Sequence, residues 1–221
     1  MFISCQGEEV TPDTEDETSQ QQNDTDDEND IEDAVFFPVK PGIKRCYNQN
    51  ASYCTEILST TRQYQGVKYY DAETTFPNST YKSELWMGID SDNRTTWLYE
   101  YVAVPGQLYV LTEFIESDPI GKKFTTSYGS KSAINFEVFV ENILLQKNLK
   151  RTVNGVEYND VYQARRKQTS VNYANGLEIS RQVASDQIYY VAKGIGMIET
   201  RTTSEVNSFV NESHLESITG L

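Results

Sequence analysis

The chain has a single histidine, His214, among its 221 residues. One histidine excludes a zinc site of the HExxH type, and a Ser-His-Asp triad would have to use His214 itself. Because His214 lies near the C-terminus between Glu212 and Glu216, in a segment with strand character, we interpret it as a surface residue. We expect no bound metal.

Glycine motifs for nucleotides are incomplete. Gly194 and Gly196 lack the third glycine of a dinucleotide site, and the Gly-Lys-Lys of residues 121–123 lacks the rest of a phosphate loop. A carboxylate pair for glycoside hydrolysis, such as Glu84 with Glu113, stays open because nothing in the sequence selects one pair. We expect no cofactor, no catalytic residue and no enzymatic activity.

Long apolar runs and basic clusters are also missing. No stretch approaches the 18 apolar residues of a transmembrane helix. The chain carries 19 Lys and Arg against 33 Asp and Glu, with a net charge of −14, which excludes nucleic acid because phosphate contacts need clustered cations. The one basic run, Arg-Arg-Lys at residues 165–167, is interpreted as a solvated strand edge.

The negative charge belongs to an N-terminal tail. Thirteen of the acidic residues lie between Gln6 and Asp33, a segment without Lys or Arg. Such a segment cannot bury enough apolar surface to fold, so the sequence predicts a disordered acidic linker over residues 5–33. The domain that follows, residues 34–221, is close to neutral.

Cys5 follows Phe2, Ile3 and Ser4, which resembles the end of a lipobox, where a small residue precedes the cysteine that is lipidated. Residues 1–4 are too short for the apolar region of a signal peptide, so we interpret them as its end and expect an upstream segment. A solvated linker directly after Cys5 suits a tether. The sequence thus predicts lipidation at Cys5 and a membrane as partner.

The two other cysteines, Cys46 and Cys54, remain as an even pair once Cys5 carries lipid. An even pair suits one disulfide in an oxidising compartment. Their spacing matches no zinc pattern, and two free structural thiols are the alternative.

Period-two alternation in the domain predicts β-strands. In residues 95–101, Trp97, Tyr99 and Tyr101 share one face. Residues 139–149 have partly helical spacing, but alternation in the preceding residues favours a strand. We expect eight to ten antiparallel strands and no long helix, in a meander that closes into an open or half β-barrel.

Turn signals separate these strands. Pro105-Gly106 predicts a turn into a strand over residues 108–115, and the pairs Asn154-Gly155 and Asn175-Gly176 are typical of type I′ hairpin turns. Ser185-Asp186 predicts a further turn, into a long strand over residues 188–202.

Four segments carry a resemblance to a known group: residues 36–42 (FFPVKPG), 118–124 (DPIGKKF), 153–161 (VNGVEYNDV) and 189–198 (YYVAKGIGMI). Together they resemble exported lipoproteins of Bacteroidetes that carry an uncharacterised β domain, across residues 35–203. The resemblance implies a LolA-like open barrel and a location in the bacterial cell envelope, as an outer-membrane lipoprotein that faces the periplasm or the cell surface. It implies no activity.

The predicted long strand places Ala192, Gly194 and Gly196 on one face, because side chains alternate with period two. Three small residues leave a shallow trench. Either this trench accepts an apolar ligand, or a Tyr or Trp from a neighbouring strand fills it, or the strand bends there to close the barrel.

Two functions follow as expectations for a monomer. The barrel binds or carries an amphipathic ligand, such as a lipid or a glycan, or it is filled by side chains and serves as a surface interaction or structural protein. A cavity of several hundred Å³ would favour ligand binding, and a solid core the second function.

The lipid anchor gives the first prediction. When the gene is expressed with its upstream region in its bacterial host, Cys5→Ala should move the protein from the membrane fraction to the soluble fraction. Membrane fractionation with immunodetection measures this. A Cys5→Ala protein that stays in the membrane fraction would contradict lipidation at Cys5.

Overall fold

The computed structural model describes residues 35–49, 52–77, 79–80, 82–204 and 209–221, and within these ranges the chain forms twelve β-strands and no helix. The strands are β1 (Lys44–Gln49), β2 (Tyr53–Tyr64), β3 (Val67–Thr75), β4 (Lys82–Ile89), β5 (Thr95–Glu100), β6 (Leu108–Thr112), β7 (Lys123–Ser130), β8 (Phe136–Val153), β9 (Val156–Ala174), β10 (Leu177–Ala192), β11 (Gly196–Ser204) and β12 (Phe209–Thr219). The mainly β class is confirmed, with twelve strands where we expected eight to ten. The predicted anchor Cys5 and the linker over residues 5–33 lie outside the described residues.

All twelve strands belong to one antiparallel sheet, in the order β6-β5-β4-β3-β2-β1-β12-β11-β10-β9-β8-β7. The sheet thus consists of two meanders, β1–β6 and β7–β12, which are joined where β1 pairs with β12. Its two edges, β6 and β7, follow each other in the sequence and contact each other. The sheet therefore curls into a nearly closed barrel, as the meander predicted. No helix in the described part of the chain has the length and apolar character to cross a bilayer.

Side chains close the seam between β6 and β7. The Gln107 Nε2 donates to the carbonyl of Gly129 at 2.9 Å, and the Gly129 N–H donates to Gln107 Oε1 at 2.9 Å. One primary amide thus satisfies both backbone groups of an edge residue, as a paired strand would. Beside it, the rings of Tyr109 and Tyr128 stack with centroids 4.2 Å apart.

The segment before β1 fills part of the barrel. Phe36 packs edge-on against Tyr162, and Phe37 packs edge-on against Trp97, each with ring centroids 4.8 Å apart. The Thr95 hydroxyl donates to the carbonyl of Phe37 at 2.7 Å. We call residues 35–43 the plug, because its aromatic rings belong to the main core inside the barrel.

Smaller clusters lie outside this main core. Tyr69, Trp86 and Leu98 form one such cluster, on the face of β3–β5 that points away from the main core.

Irregular pairing between Leu144 and Arg151 bends the β8–β9 hairpin. The tip of this hairpin contacts β12, where Asn154 Nδ2 donates to the Leu215 carbonyl at 2.9 Å.

Several predicted elements are confirmed. Residues 139–149 lie within β8, and Pro105-Gly106 lies between β5 and β6. Asn154-Gly155 and Asn175-Gly176 join β8 to β9 and β9 to β10, with positive φ at all four residues. Cys46 and Cys54 form a disulfide between directly opposed positions of β1 and β2, which a sheet accepts because opposed Cβ atoms lie close together.

Two predictions at the C-terminal half are wrong. Ser185-Asp186 is not a turn but part of β10, at an irregularity in its pairing with β9, and Asp186 accepts hydrogen bonds from Arg165. The long strand over residues 188–202 is broken by a turn over residues 193–195, because Gly194 takes a φ of 72° that turns favour and strands exclude.

The seam gives a second prediction. Gln107→Ala removes both hydrogen bonds to Gly129, and we expect a loss of about 1–3 kcal/mol in the free energy of unfolding. Amide exchange in β6 and β7 should become faster than in β2 and β3. Urea denaturation and hydrogen exchange measure these effects.

The matched control is Gln63→Ala, which truncates an exposed glutamine of β2 and should change stability by less than about 0.5 kcal/mol. Equal effects of the two variants would show that Gln107 does not hold the seam.

Candidate ligand cavity

The predicted trench of small residues does not exist. Ala192 ends β10, Gly194 lies in the turn, and Gly196 begins β11 with a φ of 98°, so the three do not share a strand face. A Cβ atom on Gly196 would lie 3.0 Å from Arg45 Nε and 3.2 Å from the ring of Phe37. The plug and an arginine of β1 therefore occupy the space that we expected a ligand or a neighbouring strand to fill.

The barrel instead encloses a cavity of about 210 Å³ on its inner face. Alternation defines this face, because Leu85 and Met87 of β4 and Trp97 and Tyr99 of β5 line the cavity while the residues between them point outward. The complete lining also includes Phe37, Arg45, Tyr47, Tyr53, Thr55, Thr74, Arg166, Gln187, Met197 and Thr200. The lining thus combines apolar, aromatic and polar side chains.

Partly exposed residues mark the mouth of the cavity. Half-buried lining residues are Tyr53 and Thr55 of β2, Tyr99 of β5, Gln187 of β10 and Met197 of β11, whereas the other lining residues are buried. Four of these five carry a hydroxyl or an amide, and the Thr55 hydroxyl lies 2.8 Å from that of Thr74, so the mouth is mainly polar. The apolar side chains of Leu85 and Met87 lie deeper and are buried.

Arg166 lines the cavity and belongs to a buried network around Glu113, which lies behind it. Arg166 Nη2 donates to Glu113 Oε1 at 2.5 Å, and the Tyr162 hydroxyl donates to Glu113 Oε2 at 3.0 Å. The Tyr189 oxygen lies 2.9 Å from Glu113 Oε2 and 2.7 Å from Asn142 Oδ1, and its single proton serves one of these acceptors at a time. The carboxylate is 1% exposed, so its partners replace water almost completely.

Burial and charge shift the pKa values of this network. Burial, and then the Glu113 carboxylate, raise the pKa of the Tyr162 and Tyr189 hydroxyls well above that of free tyrosine. Burial opposes the charge of Arg166, but Glu113 outweighs it and raises the pKa of the guanidinium. A raised pKa means that the folded state holds these two protons more tightly than the unfolded state does. Their contribution to the free energy of unfolding is therefore fully present below the pKa of free tyrosine, about 10, and decreases as the pH rises above it.

Arg45 of β1 also lines the cavity, and it is buried without a carboxylate partner among the residues that the structure describes. Its Nε donates to the Ile195 carbonyl at 2.8 Å, and its Nη2 donates to the Pro38 carbonyl at 3.0 Å. Its guanidinium lies 4.7 Å from the centre of the Phe37 ring, and it is 3% exposed. Because neutral groups surround it, burial lowers the pKa of Arg45.

Sequence reasoning missed both arginines. The interpretation of residues 165–167 as a solvated edge is wrong, because β9 lies inside the sheet and Arg166 is 8% exposed. A usable signal was present: Tyr162, Ala164 and Arg166 alternate on one strand face, which places the arginine on the apolar side. Of the carboxylate pair that we considered for glycoside hydrolysis, Glu113 is the ion-pair partner of Arg166. The side chain of the other member, Glu84, lies outside the described part of the chain.

Among the described residues, no group of three or more His, Cys, Asp or Glu could hold a metal ion. Neither a protein family nor a curated protein matches the sequence.

Two solved structures share the fold. One, from Bacteroides fragilis NCTC 9343, is described as an exported protein with a YmcC-like fold; it has a TM-score of 0.53 and 11% identity, over 85% of this chain and 100% of that chain. The other, from Parabacteroides distasonis ATCC 8503, is described as a lipoprotein; it has a TM-score of 0.54 and 10% identity, over 84% of this chain and 99% of that chain. The resemblance in fold is thereby confirmed; at such identities it concerns the fold alone.

The buried network gives a third prediction. Glu113→Gln leaves the Arg166 charge buried without its counterion, and we expect a loss of about 3–5 kcal/mol in the free energy of unfolding. The control is Glu141→Gln, which breaks an exposed pair with Lys123 and should cost about 0–1 kcal/mol. Urea denaturation compares the two, and a Glu113→Gln protein as stable as the control would contradict the role of this carboxylate.

Proposed function

We propose that this chain is a cell-envelope lipoprotein whose barrel binds an amphipathic ligand, such as a lipid or a glycan fragment, without catalysing a reaction. The observation that carries the proposal is the cavity of about 210 Å³, with polar residues at its mouth and apolar ones deeper inside. Ligand sites typically combine an apolar lining with a few placed polar groups.

Three observations support a location in the envelope. The lipobox-like residues before Cys5 and the acidic linker after it suit a lipid-anchored domain. The disulfide between Cys46 and Cys54 suits an oxidising compartment. The two solved structures with this fold are described as an exported protein and a lipoprotein.

The chemistry of the lining supports binding without catalysis. Glu113, the carboxylate nearest to the cavity wall at Arg166, already accepts hydrogen bonds on both oxygens. A general acid or base must reach its substrate, whereas Glu113 is buried behind Arg166. The carboxylate therefore positions the arginine, and the arginine lines the cavity.

A filled barrel that acts through its surface is the second candidate. The observation in its favour is how much of the interior the plug and the rings of Phe114, Tyr162 and Tyr189 occupy. The cavity is smaller than the roughly 300–1,000 Å³ of sites for drug-sized ligands. Under this proposal the remaining space is only imperfect packing.

Binding of an apolar fluorescent probe separates the two candidates and gives the fourth prediction. N-phenyl-1-naphthylamine should gain fluorescence with the purified full chain at a ratio near one to one. Thr55→Phe, which places a ring at the mouth, should weaken this binding about tenfold or more, because the ring occupies ligand space.

The control is Thr203→Phe, which adds the same ring to an exposed position of β11 and should leave binding unchanged. Circular dichroism verifies that both variants fold. If the probe does not bind the unmodified chain, or binds equally to both variants, the filled barrel is favoured.

A further inference from the structure

The cavity contains more positive than negative charge. Two of its lining residues, Arg45 and Arg166, are cationic, and no carboxylate lines it among the residues that the structure describes. Glu113 balances Arg166 from behind, so within the described ranges the guanidinium of Arg45 is left without a counterion. A charge buried in this way is costly unless an anion approaches it.

Two residues of the cavity wall carry donors without an acceptor. Arg166 Nε and Trp97 Nε1 have almost no surface of their own open to solvent, and neither has an acceptor within the described ranges. Both residues are 8% exposed and both line the cavity. Buried donors normally have partners, so an acceptor that enters the cavity and reaches these side chains would satisfy them.

Arg45 is held in place by groups that do not neutralise it. Its two hydrogen bonds go to backbone carbonyls of the plug and of the β10–β11 turn. These bonds fix the direction of the guanidinium, and they leave its charge available. A preorganised cation of this kind binds an anion without a large loss of side-chain entropy.

We propose that the ligand of the proposed function, on which this inference rests, has an anionic head group that binds between Arg45 and Arg166. This head group is a carboxylate or a phosphate. Guanidinium groups bind both kinds of head through paired N–H donors. Leu85, Met87 and Met197 line the same cavity and contact the apolar part of the ligand. Because the cavity is small, it holds the head group and the first carbons of a longer chain, and the rest of that chain lies outside it.

Titration calorimetry with matched twelve-carbon probes tests this. Below their micelle-forming concentrations, dodecyl phosphate and dodecanoate should bind the purified full chain at least tenfold more tightly than dodecanol or dodecyltrimethylammonium. Inorganic phosphate alone should bind more weakly than dodecyl phosphate, because it makes no apolar contact.

Arg45→Gln should weaken binding of the two anionic probes by about ten- to hundredfold and leave binding of dodecanol unchanged. The control is Arg62→Gln, which alters an arginine that lies over the outer Trp86 ring and should change nothing.

A second pair of variants keeps both arginines. Thr55 lies directly opposite Arg45 in the pairing of β1 with β2 and lines the cavity. Thr55→Glu supplies an internal carboxylate and should abolish binding of the anionic probes, whereas the neutral Thr55→Gln should retain it. If Arg45→Gln fails to fold, this pair of variants still tests whether the cavity binds an anionic head group.

The outcomes separate the two proposals. Equal binding of dodecanol and dodecyl phosphate, or equal effects of Thr55→Glu and Thr55→Gln, would overturn the anionic head group and leave an apolar ligand site. Binding of inorganic phosphate as tight as that of dodecyl phosphate would support the anion site and overturn the amphipathic ligand. If no probe binds, both proposals fail.

Discussion

Twelve strands enclose more space than their own inward-facing side chains can fill. A barrel of about eight strands has an interior just wide enough for side chains, and this sheet has half as many strands again. The plug enters the surplus space with Phe36 and Phe37, and the rings of Tyr162 and Tyr189 meet it from the opposite wall. What neither fills is the cavity, so the number of strands determines that an internal space remains at all.

The same geometry explains why polar groups are buried in the barrel. Tyrosines reach across the wide interior, but each buried hydroxyl needs a partner, and Glu113 accepts from two of them. A buried carboxylate in turn needs a cation, which Arg166 provides. Each buried polar group of the network thus requires the next one: the tyrosine hydroxyls require the Glu113 carboxylate, and the carboxylate requires the Arg166 guanidinium in the cavity wall.

Local sequence signals predicted the parts of the fold that depend on neighbouring residues. Asn154-Gly155 and Asn175-Gly176 formed the expected turns because backbone conformation at two residues decides the outcome. Gly194 was misjudged because one glycine fits a strand bend and a turn equally well. Arg166 was misjudged because its counterion lies 53 residues away, and alternation alone does not reveal that a charge on the apolar face has a partner.

The pairing of the first strand with the last affects when this protein can fold. Lys44 of β1 lies opposite Thr219 of β12, and the carbonyl of Val35 accepts from the N–H of Gly194. Contacts over such sequence distances form slowly, because much of the chain must be ordered before they stabilise it. A ribosome that still holds the residues of β12 keeps this strand from its place. The barrel therefore closes only after β12 is free, and until then the first half of the chain lacks the partner of β1.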